Sequence, residues 1–134
     1  MTAYEEAFTF ETRGEFDCSD ITQNVSRVVR ASGVKKGMAL VFAGHATGVI
    51  AITEYESMLL RDIKTLLQKL VPTRGGYNHP ANAHAHLRSL LLQSGKVVPV
   101  VGGRLSLGTW QSIFWIETET RPRRRTVRVL IVGE

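Results

Sequence analysis

The stretch RLSLGTWQSIFWIETE, residues 104–119, carries large apolar side chains at both odd and even positions. In an extended chain successive side chains point to opposite faces. Leu105, Leu107, Ile113 and Trp115 therefore fall on one face, and Trp110, Phe114 and Ile116 on the other. A strand with one wet face is not built this way. Two arrangements satisfy the pattern: helices cover one side and another sheet the other, or one face is buried between subunits. In so short a chain the second carries weight, and a homo-oligomer is expected. The following run, RTVRVLIVGE, is also strand-like, and the turn around Arg121-Pro122-Arg123 predicts a long hairpin between the two.

With 134 residues and 43% hydrophobic content, the chain is long enough for one domain with its own core and too short for two. It reads as a single domain, 1–134. The one cysteine, Cys18, has no partner for an internal disulfide, which suits a reducing cytoplasm. The opening MTAYEEAFTF lacks a basic segment followed by an apolar one, and no apolar run approaches the roughly 20 residues of a membrane helix. A soluble, unprocessed cytoplasmic protein is expected, with no membrane partner.

The formal charge of +5 raises the question of nucleic acid. The excess is local, because without Arg121, Arg123, Arg124, Arg125 and Arg128 the basic and acidic residues are equal in number. No RNP-type aromatic motif, GXXG clamp or zinc knuckle accompanies the arginines. They read first as a solvated turn, and a nucleic-acid partner is not expected.

Along the rest of the chain, AFTFETRGEFDCSDIT alternates bulky and polar residues around Gly14, as two short strands or one bent strand would. Ser19 or Asp20 caps a helix from about 20 to 32, with Val25, Val28 and Val29 at helical spacing and Gly33 at its left-handed end. Two β-rich runs, 38–44 and 49–54, flank His45-Ala46-Thr47-Gly48. Leu59, Ile63, Leu66, Leu67 and Leu70 make the apolar stripe of a second helix, stopped by Pro72. The loop TRGGYNHPANAH is irregular, and Asn82 is placed to cap a short helix with Leu87, Leu90 and Leu91 facing inward.

Three of the four histidines, His79, His84 and His86, crowd around that loop, with His45 the fourth. Imidazole is the commonest protein ligand for zinc, and three of them with a water make an open catalytic centre. If the helix has begun by residue 83, His84 and His86 lie about 200° apart around its axis and do not converge on one ion. If the segment is extended, both share a face. The alternative is a pair of solvated loop histidines, His79 and His84, with His86 at a helix start. Spacing leaves this open.

Glu54 ends a strand nine residues after His45, and Asp62 lies beside the second helix's apolar stripe. Either could orient an imidazole, act as a general base or pair with an arginine; Asp62 could equally meet solvent or Lys69. In GTWQS a glycine in mid-strand marks a close approach by backbone or ligand. Thr109 and Gln111 would share a face with hydrogen-bonding groups to offer, and Trp110 would pack in the core.

Taken together, HATGVIAITE, the Arg61-Asp62 pair, the Tyr77-Asn78-His79 to Asn82 loop, AHLRSLLLQS, VPVVGGRLSLGTWQSIF and RRRTVRVLIVGE resemble the YjbQ family, from about residue 8 onward and in the same order. The resemblance implies an α+β fold, mainly antiparallel sheet with two to three helices, assembled as a homotrimer. It implies a metal site of His45, His79 and His86, with His84 a bystander. It also matches Glu54 and Asp62 to acidic positions of the family, and Thr109 and Gln111 to its T-W-Q segment. Where family members commonly read His-Thr-Thr or His-Thr-Ser, this chain has His45-Ala46-Thr47, and Thr53-Glu54 replaces Asn-Glu.

Members are often labelled secondary thiamine-phosphate synthase. The implied reaction releases pyrophosphate, which magnesium and oxygen ligands usually assist, whereas an imidazole cluster suits zinc, iron or nickel. Thiamine-phosphate formation is then a side activity. The expectation is a metal-dependent enzyme, with a divalent ion, zinc first, acting on a small phosphorylated molecule. Glu54 or Asp62 would move protons, and Thr109, Gln111 and Arg124 would hold the substrate. The alternative is a non-catalytic metal- or ligand-binding homotrimer.

Overall fold

Val127, Val129 and Ile131 alternate along the last strand and are fully buried, which fixes one face of a sheet against a core. The computed structural model describes residues 1–134. In it β1 (Thr2–Thr12), β8 (Arg123–Gly133), β3 (Lys36–Phe42), β5 (Gly95–Val101) and β6 (Arg104–Leu105) form a five-stranded antiparallel sheet in that order. A second antiparallel sheet runs β2 (Cys18–Asp20), β7 (Ser112–Glu117), β4 (Gly48–Thr53). Three helices complete the α+β fold: α1 (Thr22–Ser32), α2 (Ser57–Leu70) and α3 (Ala83–Leu92).

The expected hairpin does not form. β7 pairs with β2 and β4, whereas β8 pairs with β1 and β3, so consecutive strands enter different sheets. Alternation tells a strand which face is apolar but not which neighbour it joins. The chain turns the corner at Thr118–Pro122, between the two strands.

β7 explains the doubly apolar pattern. Ile113 and Trp115 enter the main core with Val25, Val28 and Val29 of α1 and the inner face of the five-stranded sheet. Phe114 and Ile116 face the other way, onto Leu67 of α2 and Val49. One chain therefore covers both faces of β7, with a second sheet on one side and helices on the other, and the strand itself needs no partner subunit. The residues before β7 depart from the strand pattern: Ser106–Gln111 is not strand, and Trp110 is 73% exposed rather than core.

α1 follows its sequence closely. Asp20 Oδ1 accepts the Thr22 N–H at 3.0 Å at the helix entry, and Gly33 ends it at φ 72°. α3 does not. Its buried residues are Ala83, His84, Ala85, Arg88 and Ser89, while Leu87, Leu90 and Leu91, expected inward, are 39%, 75% and 59% exposed. The outer face of the five-stranded sheet is bare and apolar too, with Met38, Phe42, Val97 and Val101 exposed. No helix is long and apolar enough to cross a membrane.

Candidate functional site

Two ion pairs built on buried arginines fix the loop and helix that carry the histidines. Arg88, fully buried on α3, donates to Val71 O at 3.0 Å, to Gln68 Oε1 at 2.9 Å and to Glu15 Oε2 at 2.5 Å, tying α3 to the end of α2 and to the β1–β2 connection. Arg125 of β8 donates through Nε to Glu117 Oε1 of β7 at 2.7 Å and through Nη2 to Thr47 O at 2.8 Å. Desolvated charges of this kind persist only when paired and hydrogen-bonded on several sides. Arg125 is therefore not part of the solvated turn expected for the arginine-rich segment; it is 1% exposed.

Asn82 precedes α3 but makes no capping bond. Its Nδ2 donates instead to Glu119 Oε2 at 2.8 Å, pinning the loop to the segment after β7. Ala81 sits at φ 70°, in the left-handed region, and folds the loop back. As a result His79 lies against the first turn of α3, its ring centroid 5.0 Å from that of His86. The two rings share a cavity of about 430 Å³ with Gly76, Tyr77, Asn78, Ala83 and Leu87.

His45 stands apart from this pair. Its Nε2 accepts the Thr126 N–H at 3.0 Å and its ring meets Trp115 edge-on, leaving Nδ1 as the free nitrogen. Burial lowers its pKa, with Arg125 adding to the effect, so the ring is neutral at pH 7. Its neighbour Ala46 lines a cavity of about 210 Å³ with His86 and Ser89, so the His45 turn and α3 border the same hollow. Nowhere do three His, Cys, Asp or Glu side chains come close enough to hold one ion. The donor set within one chain thus fits a metal as a two-imidazole pair, not as the three-histidine set.

His84 is neither solvated nor in the pair. It is 2% exposed, neither ring nitrogen has a hydrogen-bond partner, and Nε2 lies 3.7 Å from Glu15 Oε2. It points away from His86, as 200° of helix rotation requires.

The other expected site residues are scattered. Glu54 is half-buried beyond the far end of β4, a strand of six residues, so about 20 Å at 3.3 Å per residue separates it from the Gly48 end where His45 sits. Asp62 is exposed on α2 with no ion pair or hydrogen bond, the solvent-facing alternative. Gln111 and Thr109 lie at the Glu54 end, since Thr53 pairs with Ser112. They belong to a tight turn, not a mid-strand: Gln111 Oε1 accepts the Gly108 N–H at 2.8 Å and Gln111 N–H donates to Gly108 O at 3.0 Å. Arg124 is exposed on β8, 3.9 Å from Glu11.

The family model described as UPF0047 protein YjbQ-like matches residues 6–134. A UPF0047 protein of Methanothermobacter thermautotrophicus is 42% identical, over 100% of this chain and 95% of its own. One from Archaeoglobus fulgidus is 41% identical, over 91% and 98%. Among solved structures, a YbjQ-like protein of unknown function from Sulfolobus solfataricus superposes with a TM-score of 0.95 at 36% identity, covering 98% of each chain. A protein from Aeropyrum pernix gives 0.92 at 37% identity, covering 97% and 98%. With sequence and fold matching over nearly its full length, this chain is a member of the YjbQ/UPF0047 family.

Proposed function

We propose that the protein is a homotrimeric, metal-dependent enzyme acting on a small phosphorylated molecule, with its reaction centre at the His79–His86 cavity. The observation that carries this reading is the pair of imidazoles 5.0 Å apart in a hollow large enough for a metabolite. His79 and His86 would hold a divalent ion, zinc by ligand type, with its remaining positions left to water and substrate. A bound ion of this kind polarises a substrate oxygen or acidifies a water. Tyr77 and Leu87 wall the cavity, and the Asn82–Glu119 bond pins the loop that carries His79. Thiamine-phosphate synthesis is, on this reading, a side activity of that centre.

Trimerisation is supported by the exposed leucines of α3 and the bare face of the five-stranded sheet. It also bears on the site. Glu54, Thr109 and Gln111 are a strand's length from the histidines of their own chain, so they join the reaction centre only if a neighbouring copy brings them.

The absence of any carboxylate from the lining of the cavity favours one further reading, a non-catalytic metal- or ligand-binding trimer. Elemental analysis of the purified protein beside His86→Ala tests the metal: the expected result is stoichiometric zinc or another divalent ion, lost in the variant. No metal in either, or equal content in both, overturns the reading. Given a metal, turnover across a panel of phosphorylated metabolites separates enzyme from binder, and uniform inactivity assigns the binder.

A further inference from the structure

We propose that the cleft between α1 and the β5–β6 hairpin binds the phosphoryl group of a small molecule, through Arg30 and Arg104. Thr22, Ser26 and Arg30 recur every four residues and so share one face of α1. That face looks across a cavity of about 450 Å³ at Gly103, Arg104, Leu105 and Leu107. The two-residue turn Gly102-Gly103, at φ 61° and 78°, reverses the chain so that Arg104 pairs with Val101. A side chain at either position would be strained.

The cleft's charge is unbalanced. The chain's arginine ion pairs use Arg13, Arg88, Arg124, Arg125 and Arg128; neither Arg30 nor Arg104 has a carboxylate within 4.0 Å. Lys35 adds a third cation at the rim, its Nζ 3.4 Å from where a Cβ on Gly103 would stand. Thr22 offers no free donor, because its hydroxyl bonds to Asp20 and Ile113. Ser26 Oγ makes no hydrogen bond and is half-buried in the cleft wall, free to donate.

Two planar guanidinium groups and a hydroxyl around one hollow suit the tetrahedral oxygens of a phosphoryl group. Leu105 and Leu107, half-buried and packed on the main core, give an apolar floor for a short organic part. The cleft adjoins the Gly108–Gln111 turn, not the histidines, and takes an oxyanion whether or not a metal is held. It rests on the proposed function only for the identity of the complete ligand.

Titration with inorganic phosphate, followed by amide NMR on the intact protein, tests the site. The expected result is saturable shifts at Ser26, Gly103 and Arg104, with affinity at least tenfold weaker in Arg30→Gln and in Arg104→Gln. Arg124→Gln and His86→Ala should bind as wild type does. Both substituted arginines are exposed, so an unchanged melting temperature confirms the fold. Absence of saturable shifts, undiminished affinity in the double variant, or loss of binding in His86→Ala overturns the proposal. So does salt-sensitive binding of a short RNA through these arginines without saturation by phosphate. Failure of the metal measurement alone leaves this site standing.

Discussion

Arg125 and Glu117 join the two sheets through a buried ion pair, the guanidinium reaching from β8 to the carboxylate of β7 at 2.7 Å through Nε. Thr12 Oγ1 donates to the same carboxylate at 2.7 Å, and the Glu119 N–H at 3.1 Å, so its oxygens are engaged on several sides. The pair therefore clamps three strands and the start of the segment that pins Asn82.

Removing one partner leaves the other charged and dry. Arg125→Met alone should cost about 3–5 kcal/mol in urea unfolding. The double variant Arg125→Met, Glu117→Leu should cost clearly less than the two single changes together. Simple additivity in that cycle would mean the pair is not coupled.

Acid should weaken the fold through His84. Burial lowers its pKa, and Arg88 adds to this against the opposing pull of Glu15 and Glu119. Above the unfolded value of about 6.5 the ring is neutral in both states, and its contribution is complete. As pH falls below that value, the unfolded chain takes up a proton that the folded chain refuses, and stability declines until the depressed folded pKa is reached. His45, also lowered, acts in the same direction. Urea midpoints between pH 7.5 and 5.5, with a chelator present, should drop on acidification and drop less in His84→Gln. A midpoint that rises on acidification would contradict the assignment.

Gly48 lies against the indole of Trp115, and an added Cβ would stand 2.0 Å from the ring. Because Trp115 is fully buried, Gly48→Ala should destabilise by about 1–3 kcal/mol, read as a lower melting temperature. His45 rests on the same ring, so the substitution should also shift the His45 imidazole resonances. An unchanged melting temperature would show the indole free to move.

Light scattering coupled to size exclusion should give three times the chain mass. Val97→Lys on the bare sheet face or Leu90→Lys on α3 should reduce it toward one chain while leaving the circular dichroism intact. A wild-type protein running as a single chain would remove the trimer.

What could be read from the sequence divides by range. α1 was legible because its apolar spacing and its Gly33 exit are local; the helix begins two residues later than expected, with Ile21 rather than Ser19 or Asp20 at its N-cap, and Asp20 holds only the Thr22 N–H beside it. The pairing of β7 and β8 was not, because it depends on partners as distant as Cys18 and Thr2. Leu90 and Leu91 misled because a leucine-rich helix face signals burial without saying by what. Here the side turned inward carries Arg88 and Ser89, which hydrogen bonds make affordable.

The same limit applies to the site. Helix geometry separates His84 from His86 only once the helix is known to begin at Ala83, and only the backward fold at Ala81 puts His79 beside His86. The buried Arg125–Glu117 pair does leave a local signal in the sequence. Arg125 shares the parity of Val127, Val129 and Ile131, and Glu117 that of Ile113 and Trp115, so opposite charges stood on the two inward faces. The four-residue recurrence of Thr22, Ser26 and Arg30 was equally visible.

β1 and β3 never bond to each other; the larger sheet holds them together only through β8, which lies between them. The strand made last of the eight is thus the seam of the whole ladder. Segments that leave the ribosome early must wait, edges open, until residues 123–133 thread between them. Folding should consequently be slow and all-or-none, and a chain cut short before β8 should be fit for proteolysis rather than for partial service.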